Sequence, residues 1–374
     1  MNNEVNTSTK VTRITCAVHP ELGAQVAECL ITLGAHTVLV ENARSVRQRI
    51  RPRAWGLPGQ HVELENSPIE LFRTTVPRDS ALQVIETLTQ TLELQTPGRG
   101  CVYAQDIIEY SQLEPPIIQA DPCQETTAFR DYTLINGILS KVGGGERVTE
   151  TALRLGACVP IVTRGFGTGL RDQLGLLRIT IPPEKEMIQL MVPSQDAAGI
   201  QRLLIENARM DRSGGGFLYQ TPIAAGIVDP LLRIGQQEHA ASMEQLIAAM
   251  DEIKKGTGWR KRFADLEEQK RDARFITRRR YAEVTLVCSE GKADDFVLAA
   301  MDAGAGGATT ERVRCLSASD LEGGIGARER GIICVPTSIS DRVVQVLRDM
   351  SDVLEDPLCR IQVLDSFSVF FHQR

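Results

Sequence analysis

The stretch Ile14-Thr15-Cys16-Ala17, which leads through a helical stretch to Leu33-Gly34-Ala35, has two counterparts later in the same chain. Leu134-Ile135-Asn136-Gly137 runs to Leu155-Gly156-Ala157, and Val284-Thr285-Leu286-Val287 runs to Ala303-Gly304-Ala305. Each reads as an apolar strand and then a helix that stops at glycine, the residue that tolerates the left-handed backbone a helix C-terminus often needs. The second halves repeat as well. Val76-Pro77, Val192-Pro193 and Val335-Pro336 each close a strand, where the missing N–H of proline does least harm. A helical stretch then leads to a last strand at Cys101-Val102-Tyr103, Phe217-Leu218-Tyr219 and Ile361-Gln362-Val363, and the spacing from Pro77 to Tyr103 equals that from Pro193 to Tyr219. Internal repetition therefore governs the reading of this chain.

Each repeat reads strand, helix, strand, strand, helix, strand. That order predicts an α+β fold of three ferredoxin-like (βαββαβ) units. Helical spacing supports the helices: Ala198, Ile200, Leu203, Leu204 and Ile205 in the middle repeat, and Val343, Val346 and Leu347 in the last. The units are expected over 10–110, 131–228 and 281–374, the last the most divergent, with a linker over 111–130 and a helical linker over 229–280. Glu114-Pro115-Pro116 and Asp121-Pro122 predict an extended first linker. In the second, Ser242 and Gln245 resemble a capping box, and Met243, Leu246, Ile247, Met250 and Ile253 form one apolar helical face. Such a face needs a surface to cover it, so oligomerisation through 242–255 is an expected outlet. From Trp259 to Arg280 the charges are mixed, which reads as a solvated helix face.

A formal charge of −6 over 374 residues argues against general nucleic-acid affinity. Nine cysteines without a Cys-x-x-Cys pair point to reduced thiols in a cytoplasmic protein, and Cys16, Cys101, Cys288 and Cys334 fall in predicted strands as small apolar residues. No leader-like apolar core or membrane-length run is present in the sequence. His19, His36, His61, His239 and His372 show no metal-ligand spacing, so neither a metal site nor a catalytic constellation is expected. His61, with Glu63 and Glu65, reads as part of a solvent-exposed polar loop.

Two glycine clusters stand out on physical grounds. Where glycine permits positive φ, successive N–H groups can point at one oxyanion. Gly165, Gly167 and Gly169 form one candidate nest; Gly214, Gly215 and Gly216 form the other. A third turn, Thr96-Pro97-Gly98-Arg99-Gly100, precedes the last strand of the first repeat. Arg44, Arg47, Arg49, Arg51 and Arg53, followed by Trp55 and Gly56, read as a central loop able to grip phosphate or an acidic protein partner.

The middle repeat, from Tyr132 to Ile227, resembles the PII family of trimeric signalling proteins. Thr163-Arg164-Gly165-Phe166-Gly167 is similar to the segment that opens the family's effector loop, and Asp211-Arg212-Ser213-Gly214-Gly215-Gly216-Phe217-Leu218-Tyr219 to its glycine-rich turn. Gly169-Leu170 with Pro182-Pro183-Glu184-Lys185-Glu186 resembles the shorter-looped PII-like proteins. PII-like proteins are homotrimers whose effectors, usually adenine nucleotides, bind between neighbouring subunits. The resemblance thus implies a covalent pseudo-trimer, a regulatory protein that binds a small anionic effector or nucleotide in inter-unit clefts and signals to a target protein in nitrogen regulation. It implies ligand contacts from Arg164, Gly165, Phe166, Gly167, Gly169, Arg212, Gly214, Gly215 and Gly216, with Gly98, Arg99 and Gly100 in the first repeat. It also makes Arg47, Arg49, Arg51, Arg53 and Trp55 the partner-contacting arm. Asp356-Pro357-Leu358-Cys359-Arg360 lacks glycine, so fewer than three anion sites are expected. Cys101, Phe217 and Ile361 stand where the family carries a phosphate-binding lysine, and Gly169 stands near its glutamine. These departures argue against ATP and 2-oxoglutarate sensing of the usual kind. An enzyme with one active cleft, or a scaffold without ligand, are the alternative readings.

Overall fold

The computed structural model describes residues 8–52, 60–113, 116–118, 128, 130–140, 142–154, 158–169, 184–207, 210, 216–229, 280–317 and 326–371. The linker helix expected over 242–255 lies outside them. The first segment comprises β1 (Ser8–Val18), α1 (Gly23–Thr32), β2 (Thr37–Pro52), β3 (Gln60–Pro77), α2 (Ala81–Leu92) and β4 (Gly100–Ser111). The second comprises β5 (Tyr132–Leu139), α3 (Gly144–Arg154), β6 (Ile161–Gly169), β7 (Glu184–Pro193), α4 (Ala197–Asn207), β8 (Phe217–Ile223) and a short β9 (Ala225–Ile227). In the third are β10 (Tyr281–Ser289), α5 (Ala293–Asp302), β11 (Gly307–Ser317), β12 (Gly326–Pro336), α6 (Thr337–Val353), β13 (Arg360–Ser366) and β14 (Ser368–Phe371).

Within each segment the strands pair antiparallel in one order: β2-β3-β1-β4, then β6-β7-β5-β8, then β11-β12-β10-β13. The segments are joined cyclically. The end of β4 pairs with β13, β9 pairs with β4, and β14 pairs with β8, so each segment's last stretch lies along a strand of the preceding one, the first segment's along the third's. The second strands do the same. The start of β2 pairs with the end of β11, the start of β11 with the end of β6, and the start of β6 with β2 at Arg44 and Ser45.

Strand periodicity sorts the residues into two layers. Ile14, Cys16 and Val18 of β1 sit under α1 and α2 in one apolar core, with Val84, Ile85, Leu88 and Leu92 at helical spacing above them. Cores of the same kind form in the other two segments. None is closed by its own segment alone: Ala225 and Ile227 complete the first core, Phe370 the second, and Tyr110 packs against the third. The helix ends follow the expected glycine rule where they are described. Gly34 and Gly304 have φ of 102° and 105°, and the next amides, Ala35 and Ala305, bond back to Leu30 O and Ala300 O, each at 3.0 Å.

The opposite face of the strands is polar and buried where the segments meet. Arg13 of β1 donates to Glu283 at 2.9 Å, Tyr219 donates to the other oxygen of Glu283 at 2.8 Å, and Arg13 also donates to Gln105 at 2.8 Å. Beside them Arg73 bonds Glu41, and Arg330 bonds both Glu311 and Glu41, the last at 3.1 Å. Burial pushes Glu41 up, but the Arg73 and Arg330 guanidiniums outweigh it and hold the carboxyl at about 2. Burial and the charge of Glu41 instead push Glu311 well above the carboxylate range. The two carboxyls are thus pushed in opposite directions, in an interior that carries guanidiniums from both the first and third segments.

Helix starts show where the cyclic pattern is broken. Glu186 accepts from the amides of Gly143 and Gly145 at the start of α3, both at 2.9 Å, and Glu329 accepts from Gly291 and Ala293 at the start of α5, both at 3.0 Å. Glu70 takes the matching place in the first segment, so close to Gly23 that a Cβ there would meet its carboxylate. Arg44 reaches across to Glu186 at 2.9 Å, and Arg314 reaches across to Glu70. The registers Arg44↔Val162↔Ile188 and Arg314↔Val40↔Phe72 continue as Phe166↔Thr310↔Gly331, which sets Phe166 where the third arginine would stand, toward Glu329. Phe166 is half exposed. Phe166→Arg is expected to stabilise the protein by about 0.2–1 kcal/mol in urea titrations, the usual worth of a partly exposed pair, and the gain should vanish in Glu329→Gln.

Candidate functional site

Most of the arginine-rich stretch expected as a loop is strand. Arg44 to Arg51 belong to β2 and pair through to β3, with Arg47 opposite Glu65, Arg49 opposite Glu63 and Arg51 opposite His61. Arg47 and Arg49 thus stand opposite acidic residues, a cross-strand register of opposite charge. Arg53 and Trp55 lie outside the described residues. Arg47 turns inward, to a cleft between the first and second segments.

Three elements build that cleft. The first is the turn from α2 to β4. Glu93 ends the helix at φ 52°, Gly98 and Gly100 follow with φ of 89° and 135°, and Arg99 N–H donates to Thr96 O at 3.2 Å. Only glycine fits at 100, because a Cβ there would sit 2.1 Å from Ala17 O. Arg99 folds back and donates Nε–H to Leu92 O at 2.7 Å, which holds a positive charge at the end of α2. The second element is β2, which carries Ser45 and Arg47. The third comes from the second segment: β9 lies antiparallel to β4 with Ile227 opposite Val102, so the chain running on from Ile227 brings Asp229 level with the glycine turn.

There the two segments meet through charge. Asp229 Oδ1 accepts from Gly98 N–H at 2.9 Å, and Asp229 Oδ2 accepts from Arg47 Nη2 at 3.0 Å, while Arg47 also donates to Gly98 O at 3.2 Å. A cavity of about 110 Å³ adjoins this contact, lined also by His19, Ser45, Arg99 and Cys101. Burial raises the Asp229 carboxyl above its ordinary value, although the Gly98 amide and Arg47 pull the other way. Burial first, and then the charge of Asp229, push the Cys101 thiol well up, so it is no ready nucleophile. His19 Nδ1 accepts from the amide of Glu21 at 3.4 Å and lies 3.7 Å from its carboxylate. The groups present can hold and orient an oxyanion. Among the described residues, no cluster of His, Cys, Asp and Glu could hold a metal ion, and no helix is long and apolar enough to cross a membrane.

The anticipated glycine nest in the second segment is different. Gly165, Gly167 and Gly169 are strand residues, registered against Lys185, Thr309 and Gly307, and neither Gly165 nor Gly167 lies in the left-handed region. Ladder pairing has taken the place of a nest. A Cβ on Gly165 would come within 2.8 Å of both Thr309 Cγ2 and Thr310 O, so glycine serves the close approach of β6 and β11. Arg164 is exposed opposite Glu186, and Phe166 stands at the segment boundary. Arg212, Gly214 and Gly215 lie outside the described residues. Gly216, at φ 130° beside Ile138 O, occupies the place that Gly100 holds beside Ala17 O. In the third segment Cys359 stands there, its thiol pushed up to about 11 by burial, and Asp356 accepts from Ser289 N–H at 2.7 Å and Ser289 Oγ–H at 3.0 Å.

The structure thus gathers Gly98, Arg99, Gly100 and Arg47 around one cavity, and sets Arg164, Gly165, Phe166 and Gly167 apart from it. Sequence reasoning missed Asp229 and Ser45. Asp229 falls at the start of the expected linker, and the apolar run Ala225–Ile227 just before it is the available signal of another strand.

No protein-family description matches this chain, and no curated protein matches it. Among solved structures it is similar to the GlnK–ATP complex of B. subtilis, with 16% identity over 27% of this chain and 88% of that one and a TM-score of 0.24. It is also similar to aspartate kinase from Synechocystis, with 8% identity over 92% of this chain and 42% of that one and a TM-score of 0.20. The chain spans less than half the length of that kinase. Scores this low leave the site to be argued from its own residues.

Proposed function

We propose that this chain is a covalent pseudo-trimer of three ferredoxin-like, PII-like units, over 10–110, 131–228 and 281–374, acting in the cytoplasm as a regulatory protein. It binds a small anionic effector in the cleft between the first two units and passes that state to a protein partner, in nitrogen-linked signalling as the PII resemblance implies. One observation carries the reading: a glycine turn and an arginine of one segment close on an oxyanion that crosses the segment boundary. The shared strand order and the cyclic pairing support the pseudo-trimer.

The effector is small. A cavity of about 110 Å³ is below the roughly 300 Å³ at which drug-sized ligand pockets begin, which favours a compact anion over a whole adenine nucleotide. Linking three units in one chain lets each cleft diverge, and only the first two segments carry the glycine turn. Mass spectrometry of small molecules retained by the purified protein, followed by calorimetry with each acid found, is expected to return a small carboxylate or phosphate. Its binding should be lost in Arg47→Met. Retention of no anion, together with no heat from a panel of small acids and nucleotides, would leave the scaffold reading in its place.

A further inference from the structure

We infer that the seat for the oxyanion in this cleft is held by the protein's own Asp229, and that a small carboxylate, phosphate or sulfate ligand binds by displacing it. The inference rests on the proposed reading of the cleft as the effector site, and adds how the site is kept closed and what opens it.

Two donors from different elements, the Gly98 amide and the Arg47 guanidinium, converge on the two oxygens of one carboxylate. That is the donor set a free oxyanion would need, and charge-assisted bonds of this kind are the strong ones. Three observations separate the contact from a plain staple between segments. First, a cavity opens directly beside it, with room for a ligand of few atoms. Second, that cavity is lined by Ser45, which is 3% exposed and whose Oγ has no hydrogen-bond partner among the described residues; Arg47 Nε is buried without one as well. A buried hydroxyl left without a partner costs free energy that a bound oxyanion would recover. Third, Asp229 lies beyond the last paired residue of β9, so it can leave the seat without breaking a strand pair.

Charge favours the exchange. Arg47 and Arg99 both line the cavity, and Asp229 neutralises one of them. An incoming anion therefore meets a site that still carries positive charge, and with Asp229 moved aside that charge is greater. Nor is the carboxylate perfectly settled, since burial raises its proton affinity despite both donors.

The test uses the intact chain and sodium sulfate, whose charge is constant across neutral pH, with sodium acetate as a second probe. Calorimetry compares wild type with Asp229→Asn, which keeps the shape of the side chain and removes its charge. Asp229→Asn is expected to bind sulfate about tenfold or more tightly than wild type, a change of about 1.4 kcal/mol, and adding Arg47→Met should abolish the binding. In wild type, sulfate should shift the Gly98 amide resonance, a readout that does not depend on any variant folding. Equal affinity in wild type and Asp229→Asn would overturn displacement while leaving the cleft a binding site. No binding of sulfate or acetate by either protein, with Gly98 unmoved, would overturn the binding site and the displacement together.

Discussion

Glu41→Gln is expected to destabilise the protein by roughly 3–5 kcal/mol, whereas Glu311→Gln, a few ångströms away, is expected to cost nothing at neutral pH. Both carboxyls are fully buried and both touch Arg330, so their chemistry on paper is the same. What differs is the second arginine. Arg73 bonds Glu41, and removing the charge at 41 leaves that guanidinium buried beside a neutral amide. Glu311 is instead pushed well above the carboxylate range by burial and by the charge of Glu41, so glutamine there replaces a carboxyl whose ionisation the fold opposes. The pH dependence separates the two further. Glu41 is held low, so the stability it contributes is present above the ordinary carboxylate range and is lost only as pH falls toward about 2. Glu311 is held high; its contribution is present at low pH and is lost as pH rises above the ordinary glutamate range, because unfolding then releases its proton. Glu311→Gln should therefore match wild type near pH 4 and become progressively more stable than it toward pH 8 in urea titrations. Equal losses for the two variants at every pH would mean that both carboxyls are ionised in the folded protein.

Much of the strand and helix order could be read from the sequence, because it is written in local rules. The Val-Pro pairs at 76–77, 192–193 and 335–336 close β3, β7 and β12, and glycine ends α1 and α5 through positive φ. The arginine-rich stretch reads as a loop only when its charge is weighed before its period. Arg47, Arg49 and Arg51 alternate, as residues on one face of a strand do, and the matching alternation of Glu63 and Glu65 stands in the partner strand. Gly165 and Gly167 are ambiguous for a related reason: glycine signals either positive φ or close approach, and only the neighbouring strand, Gly307–Ser317, decides which. The candidate site was half legible. Gly98 and Gly100 are a local turn signal, but the groups that complete the cleft come from elsewhere: Ser45 and Arg47 from β2, and Asp229 from the second segment, brought there by β9 lying along β4. No local pattern encodes that pairing between distant segments.

Phe370→Ala is expected to destabilise the whole protein by about 3–5 kcal/mol, the cost of emptying a large aromatic site in a packed core. The residue lies in the short strand β14, which has only four residues. Here it is 4% exposed and packed in the core of the second segment, among Leu204, Ile205 and Leu218. Strand β14 reaches that core by pairing with β8, Phe370 opposite Leu218. Losing it would leave β8 as a free edge and return the second segment to an incomplete core. Ala225 and Ile227 do the same for the first segment and Tyr110 for the third, so a loss in one core is felt around the ring. Thermal unfolding followed by calorimetry and by circular dichroism should accordingly remain one transition in wild type and in Phe370→Ala, displaced to lower temperature in the variant. A variant in which one transition moves and two stay would show that the segments fold independently, and the cyclic exchange of strands would then be contact without coupling.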